Sequence, residues 1–347
     1  MMMSRRLALA AVLLAGSGLP ASPADAPKDG EYRILKRVKV GGEGGWDFLT
    51  VDPEGKRLYL SHSTQTDVVD LDKDAVVGKV ANTAGVHGIA VARDLGRGFT
   101  SNGRADAITV FDLKTLEPVG TVAVGGKNPD AIVYEPRTHR VLTFNGTSHD
   151  ASVIDAREMK LVGTVALDGK PEVAVVTGDG RVYVNIEDKA VIAELDPATA
   201  KLVRIWSIAP CEEPTGLALD GATNRLFSVC GNALMAFSDA KAGKLIMTVP
   251  IGKGADGVAF DPDAKVAFST NGEGTITVVH EDSPDKISVV QTLPTQRGAR
   301  TIAIDPRTHR VYTVTADYGP PPSPTAERPR PRPPVLPDTL TVLVIGR

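Results

Sequence analysis

Aromatic side chains are scarce in this 347-residue chain, at 5% with only two Trp, and cysteine occurs just twice. Two cysteines are too few for a disulfide-built scaffold. No Cys-x-x-Cys-His run is present to hold covalent haem, and no Gly-x-Ser-x-Gly turn to carry a hydrolase nucleophile. Neither sign of charge dominates, since 39 Lys and Arg face 42 Asp and Glu for a net charge of −3. Removing residues 1–24, which carry Arg5 and Arg6 and no acid, leaves −5. No global field therefore draws nucleic acid or an anionic membrane, and general nucleic-acid binding is not expected. Beyond the N-terminal segment no apolar run approaches the roughly 18 residues of a membrane span. What is plentiful is hydrophobic residues, at 42% against 23% charged, together with 34 Gly and 25 Pro. That balance buries a sizeable core and favours many short strands and turns over long helices.

The N-terminus has the three parts of a secretory signal. Residues 1–6 are basic, residues 7–15 are apolar, and Ser22-Pro23-Ala24 supplies the small residues read before a cut at Asp25. The expected organisation is a cleaved signal over residues 1–24 and one domain over 25–347, with the mature protein periplasmic or secreted. Ser4-Arg5-Arg6 partly matches a twin-arginine signal, but Ala8 weakens the apolar pair that should follow, so ordinary Sec export is the preferred route.

Self-comparison reveals seven copies of one unit. The aligned positions Asp47, His87, Asp130, Glu172, Thr215, Asp256 and Arg300 lie 40, 43, 42, 43, 41 and 44 residues apart. Each opens a short apolar strand, often closed by Asp-Pro as at Asp52-Pro53, Asp261-Pro262 and Asp305-Pro306. A second strand such as Val182-Tyr183-Val184 follows, and then a third and a fourth. Four antiparallel strands repeated seven times predict an all-β, seven-bladed β-propeller. Helical repeats would need 3.6-residue periodicity over ten or more residues, and these runs are shorter and bounded by Gly, Asp-Pro and Asn-Gly. The seventh unit lacks its fourth strand, and residues 32–41 supply one of matching pattern, so the N-terminal strand should close the ring and leave no free edge blade.

The Asp-Pro turns, the Arg-Val-Tyr-Val-like second strands and the Asn-Gly steps at Asn102-Gly103, Asn145-Gly146 and Asn271-Gly272 resemble the bacterial YVTN-repeat, YncE-like propellers. The resemblance spans essentially the whole mature chain. It implies an exported propeller used for binding, with no common catalytic motif to carry over.

Other propeller chemistries fit poorly. Trp46-Asp47 opens a first strand and has no partner copies, unlike the repeated Trp-Asp of WD40 blades, and two Trp are too few for a quinone-binding propeller. Ser148-His149-Asp150 has the letters of a catalytic triad, but adjacent residues on a strand or turn point apart, so it reads as a polar loop. His139 and His309 occupy equivalent turns and read as solvated turn residues.

The strand starts should converge with the second-strand ends on one face, forming a polar funnel. The candidate ligand-binding residues are Trp46, Asp47, His62, His87, Asn102, Asp130, Asn145, Glu172, Asp256, Asn271 and Arg300. Such side chains could cap strand ends and hold channel water, or bind an asymmetric ligand in a concave polar site. They could also hold a divalent ion, although no spacing marks a ligand set and neither a cofactor nor a catalytic residue is assigned. The leading expectation is a monomeric, non-catalytic binding protein whose funnel holds a small molecule, peptide or envelope protein. The alternative is a metal-dependent hydrolase or lyase of the lactonase type at the same face.

Two further expectations concern the loops. Thr215 should pair with Cys230, bringing Cys211 near enough for a disulfide around an 18-residue loop (212–229), a link worth about 3 kcal/mol in chain entropy. The Pro-rich insertion at 319–337 interrupts the last unit on the funnel side and has nine Pro among the 18 residues 320–337. It cannot pair as a strand: it reads either as a solvated flexible loop or as an arm over the funnel whose Arg328, Arg330 and Arg332 could meet acidic funnel residues or an anionic partner.

Overall fold

The computed structural model describes residues 30–325 and 331–347. The expected signal segment 1–24 lies outside the described residues, as do Arg328 and Arg330. Seven four-stranded antiparallel sheets follow one another along the chain. Blade 1 runs Trp46–Asp52, Arg57–His62, Gln65–Asp70 and Ala75–Val80 from the channel outward. The first strands of blades 2 to 7 are Val86–Ala92, Pro129–Glu135, Pro171–Val176, Pro214–Asp220, Ala255–Asp261 and Ile302–Asp305.

The burial pattern explains why these sequences read as continuous apolar runs. Second strands such as Arg140–Asn145 are buried at every position after the first, because blades pack on both of their faces. Fourth strands such as Lys160–Ala166 are mostly exposed and leave apolar residues such as Leu161 and Val162 on the rim. The core divides into seven apolar clusters, one at each blade junction. A few large side chains suffice for a junction, as where Phe227 stacks on Phe260 at 5.0 Å and Tyr59 meets Phe111 at 5.7 Å. Distributed packing of this kind lets 5% aromatic content hold a whole ring together.

On the face opposite the funnel, a carboxylate ends most first strands and accepts backbone N–H groups of the turn that follows. Asp52 accepts from Gly55, Asp220 from Ala222, Asp261 from Asp263, and Glu135 from Arg137 and Thr138. These acids are buried and satisfied, which is the physical content of the Asp-Pro signature. His139 and His309 sit in these turns at positive φ, but they are not simply solvated. His139 Nδ1 lies 2.8 Å from Tyr134 Oη and 3.0 Å from Asp94 in blade 2, and His309 Nδ1 lies 2.9 Å from Asp261 in blade 6. Each ties its turn to the preceding blade.

Strand boundaries differ by a residue or two from the sequence expectation, and Arg300 precedes its strand. Glu187 opens a 3-10 turn, Glu187–Lys189, directly after the second strand of blade 4. Pro214, not Thr215, pairs with Cys230, because the first strand is bulged there. Cys211 and Cys230 are nonetheless joined by a disulfide with their Cα atoms 5.6 Å apart.

Ring closure follows the expected scheme: Arg33–Lys39 pairs antiparallel with Thr341–Gly346, with Lys39 opposite Thr341 and Arg33 opposite Gly346. Tyr32 is buried edge-on against Phe268 at 4.8 Å, and its N–H donates to Gln291 Oε1 of blade 6. Deleting residues 30–41 removes the buried Tyr32 and Val38, worth ~1.5–3 kcal/mol each, and opens Thr341–Gly346 as an edge. The truncated protein is expected to melt roughly 10 °C lower and to oligomerise. A monomer that melts with the parent contradicts the closure.

Candidate binding site at the channel mouth

Each of the first six first strands is bulged near its start. The register slips between Trp46 and Leu49, Val86 and Ile89, Pro129 and Ile132, Pro171 and Ala174, Pro214 and Leu217, and Ala255 and Gly257. The repeat positions Asp47, His87, Asp130, Glu172, Thr215 and Asp256 all fall inside these bulges. A bulge frees backbone groups and re-aims a side chain, and here the freed groups are caught by side chains. Ser61 Oγ accepts from Asp47 N, and Ser101 Oγ accepts from Gly88 N while donating to Asp130 O. Asn185 donates to Thr215 O, Thr270 to Arg300 O, and Thr301 to Asp47 O across the closure. Gly88, Gly216 and Gly257 follow ring residues, and a Cβ at any of them would press on the backbone of the next blade's ring residue. Small residues there let the first strands crowd the axis.

The ring borders a cavity of about 350 Å³ lined by Asp47, Asp130, Glu172, Thr215, Asp256 and Arg300, together with Phe48, Lys170, Glu187 and Arg332. Deeper in the channel the walls are apolar, including Ile89, Ile132, Val175, Leu217 and Phe260. The ring charges pair unevenly. Arg300 bonds Asp256, and Lys170 lies 2.6 Å from Glu172 and also contacts Glu187. His87 Nδ1 lies 2.7 Å from Asp47 and 3.7 Å from Asp130. Among the described residues, Asp130 accepts no hydrogen bond through its carboxylate, although its side chain is only 18% exposed.

Electrostatics follow from that geometry. Burial pushes Asp130 up to about 6; nearby His87 opposes the rise and Asp47 adds to it. Burial also raises Glu172, to about 8, against the Lys170 hydrogen bond and with help from Asp130. Asp256 is raised by burial and eased back by Arg300. Burial disfavours the His87 cation, but the Asp47 hydrogen bond and the Asp130 charge outweigh it and the imidazole is raised overall. The mouth thus holds protons near neutrality that ordinary surface carboxylates would have lost.

The sequence-derived residues separate into two groups. Asp47, His87, Asp130, Glu172, Asp256 and Arg300 are brought together at the mouth. His62, Asn102, Asn145 and Asn271, at the second-strand ends, do not line the cavity. They are buried and brace their own blades: Asn102 bonds Thr109, Asn145 bonds Ser152, Asn271 bonds Thr277, and His62 Nδ1 lies 2.6 Å from Asp67. Trp46 lines a neighbouring cavity rather than the ring cavity. Sequence reasoning did not single out Lys170, whose position two residues ahead of Glu172 was the available signal. It also missed Arg297 and Tyr318, which no repeat position marks.

The insertion returns to the mouth. Tyr318 bridges Val335, Gly319 N donates to Pro334 O, Leu336 N donates to Asp317 O, and Arg332 reaches the lining of the ring cavity.

Asp130 gives a test of the ring's electrostatics. Its folded-state value lies above the ordinary 3.8, so the folded chain binds that proton more tightly than the unfolded chain. The associated stability is present at acid pH and lost as pH rises from about 4 through about 6. The variant Asp130→Asn is expected to be more stable than the parent at pH 8, by about 1–2 kcal/mol or a few degrees in Tm, and to lose that advantage at pH 4. Melting curves at the two pH values check it, and a less stable variant at pH 8 contradicts the assignment.

No family model matches the chain, and no curated protein does. Among solved structures, a chain of hydrazine synthase from Kuenenia stuttgartiensis is similar, with a TM-score of 0.68 and 17% sequence identity, over 84% of this chain and 95% of that chain. Since 1863 chains of solved structures match, the likeness identifies an architecture and selects no chemistry. The chain is a seven-bladed β-propeller.

Proposed function

We propose that this is an exported, monomeric binding protein without chemistry of its own, whose funnel holds a small polar molecule, a peptide or an envelope protein through a donor-bearing group. The observation that carries this reading is Asp130, an enclosed carboxylate without a hydrogen-bond donor, facing a cavity of about 350 Å³. A ligand ammonium or amide would supply the missing donor, and the paired Arg300–Asp256 and Lys170–Glu172 groups would set its orientation. Export is supported by the signal-like residues 1–24 and by the disulfide, which persists in an oxidising compartment. Among the described residues no helix is long and apolar enough to cross a membrane. The likeness of the repeat to YVTN-type propellers supports the same use.

One observation favours the second reading, a metal-dependent hydrolase or lyase. Ligand atoms of Asp47, His87 and Asp130 lie within 4.8 Å of one another, a spacing that suits a divalent ion with open positions.

Calorimetric titration of the mature protein with primary ammonium probes, such as putrescine and agmatine, tests the first reading. Binding is expected to tighten roughly tenfold from pH 5.5 to pH 8.5 with proton release, as the ring carboxylates ionise against the cation. Asp130→Asn should weaken it by at least about tenfold. Probes that bind Asp130→Asn as well as the parent contradict the reading. One divalent ion per chain that survives dialysis and is lost in Asp47→Asn supports the second.

A further inference from the structure

A second cavity, of about 480 Å³, adjoins the funnel and shares Arg300 and Arg332 with it. Its walls are Trp46 from blade 1, Tyr318 and Val335 from the base of the insertion, and Arg297 from the loop ahead of blade 7. The Trp46 and Tyr318 rings stand 6.3 Å apart at 51° to one another. Gly298 sits at φ +84° against the phenol, where a Cβ would overlap its oxygen, so the backbone is cut away to admit the ring. The insertion is therefore part of a built wall, pinned by the Tyr318–Val335 bridge and the Gly319–Pro334 hydrogen bond at 2.9 Å.

The charge here is one-sided. Among the described residues, Arg297, Arg300 and Arg332 line the cavity and no carboxylate does. Asp256 answers Arg300, but Arg297 and Arg332 form no ion pair among the described residues. Two unanswered guanidinium groups beside two aromatic rings match a flat anion. The forks donate to a carboxylate edge-on, and the rings cover its apolar body.

We propose that this cavity is a binding site for aromatic carboxylates, with the carboxylate held by Arg297 and Arg332 and the ring seated against the wall that Trp46 and Tyr318 form together. The site stands apart from the funnel's own ligand, because its charge is opposite to that of the unpaired ring carboxylate.

The probe is indole-3-acetate, compared with its uncharged amide by calorimetry on the mature protein. The acid is expected to bind in the millimolar range or tighter, roughly tenfold better than the amide, and to weaken with added salt. The double variant Arg297→Gln/Arg332→Gln changes two exposed side chains and should melt with the parent while losing roughly tenfold in affinity for the acid. Binding should also persist in saturating putrescine, which occupies the funnel instead. Equal affinity for acid and amide, undiminished binding by the double variant, or displacement by putrescine would each overturn the proposal, as would the absence of any binding of the acid at about 10 mM.

Discussion

The arrangement depends on how the innermost strands meet the axis. Seven strand starts cannot all stay in their ladders while converging, so the chain breaks register at each bulge and must find new partners for the freed backbone groups. Side chains supply them: at six of the seven junctions one donates to a first-strand carbonyl of the next blade. Thr50 reaches Ile89 O, Ser101 reaches Asp130 O, Asn185 reaches Thr215 O, Thr215 reaches Ala255 O, Thr270 reaches Arg300 O and Thr301 reaches Asp47 O. In blades 1 to 6 the same bulge that solves the crowding re-aims one side chain at the mouth, and in blade 7 Arg300 enters from ahead of its strand. Scaffold and site are therefore consequences of one local distortion.

Because the backbone at those positions is held by neighbouring blades, the ring side chains are free to differ. Asp, His, Asp, Glu, Thr and Asp occupy one bulge position and Arg300 the matching place ahead of its strand, and the resulting field is lopsided. The Arg300–Asp256 pair is largely self-satisfied, Glu172 and Glu187 share the single Lys170, and the Asp47–His87–Asp130 arc is acidic and short of donors. On the other side of Arg300 the balance reverses into the arginine-lined cavity beneath the insertion. Holding a carboxylate as enclosed as Asp130 with no donor among the described residues costs stability, and such a cost is typical of places where a ligand completes the structure.

Much of this was legible in the sequence, because the repeat is periodic and its turn chemistry is explicit. Asp52-Pro53 and Asp261-Pro262 announce turns whose carboxylates do cap backbone, and residues 32–41 could be matched to a missing strand from pattern alone. The bulges were not legible, since a period-2 pattern places Thr215 opposite Cys230 and only the register shows that Pro214 is there. The same omission put Asn102, Asn145, Asn271 and His62 in the funnel. As strand-end residues they look like lining, yet their side chains turn sideways to bond the third strand of their own blade. Arg297 and Tyr318 lie in the one unit whose connections depart from the repeat, where periodicity carries no information.

The central claim is that the mouth holds enclosed carboxylates that their neighbours leave incompletely neutralised. Carboxyl-carbon NMR, following Asp130 and Glu172 as pH is raised on the mature protein, tests it most directly. The account predicts titration midpoints near about 6 for Asp130 and about 8 for Glu172, both falling when an ammonium probe is added. Midpoints at the ordinary values of 3.8 and 4.5, unmoved by the probe, would contradict it.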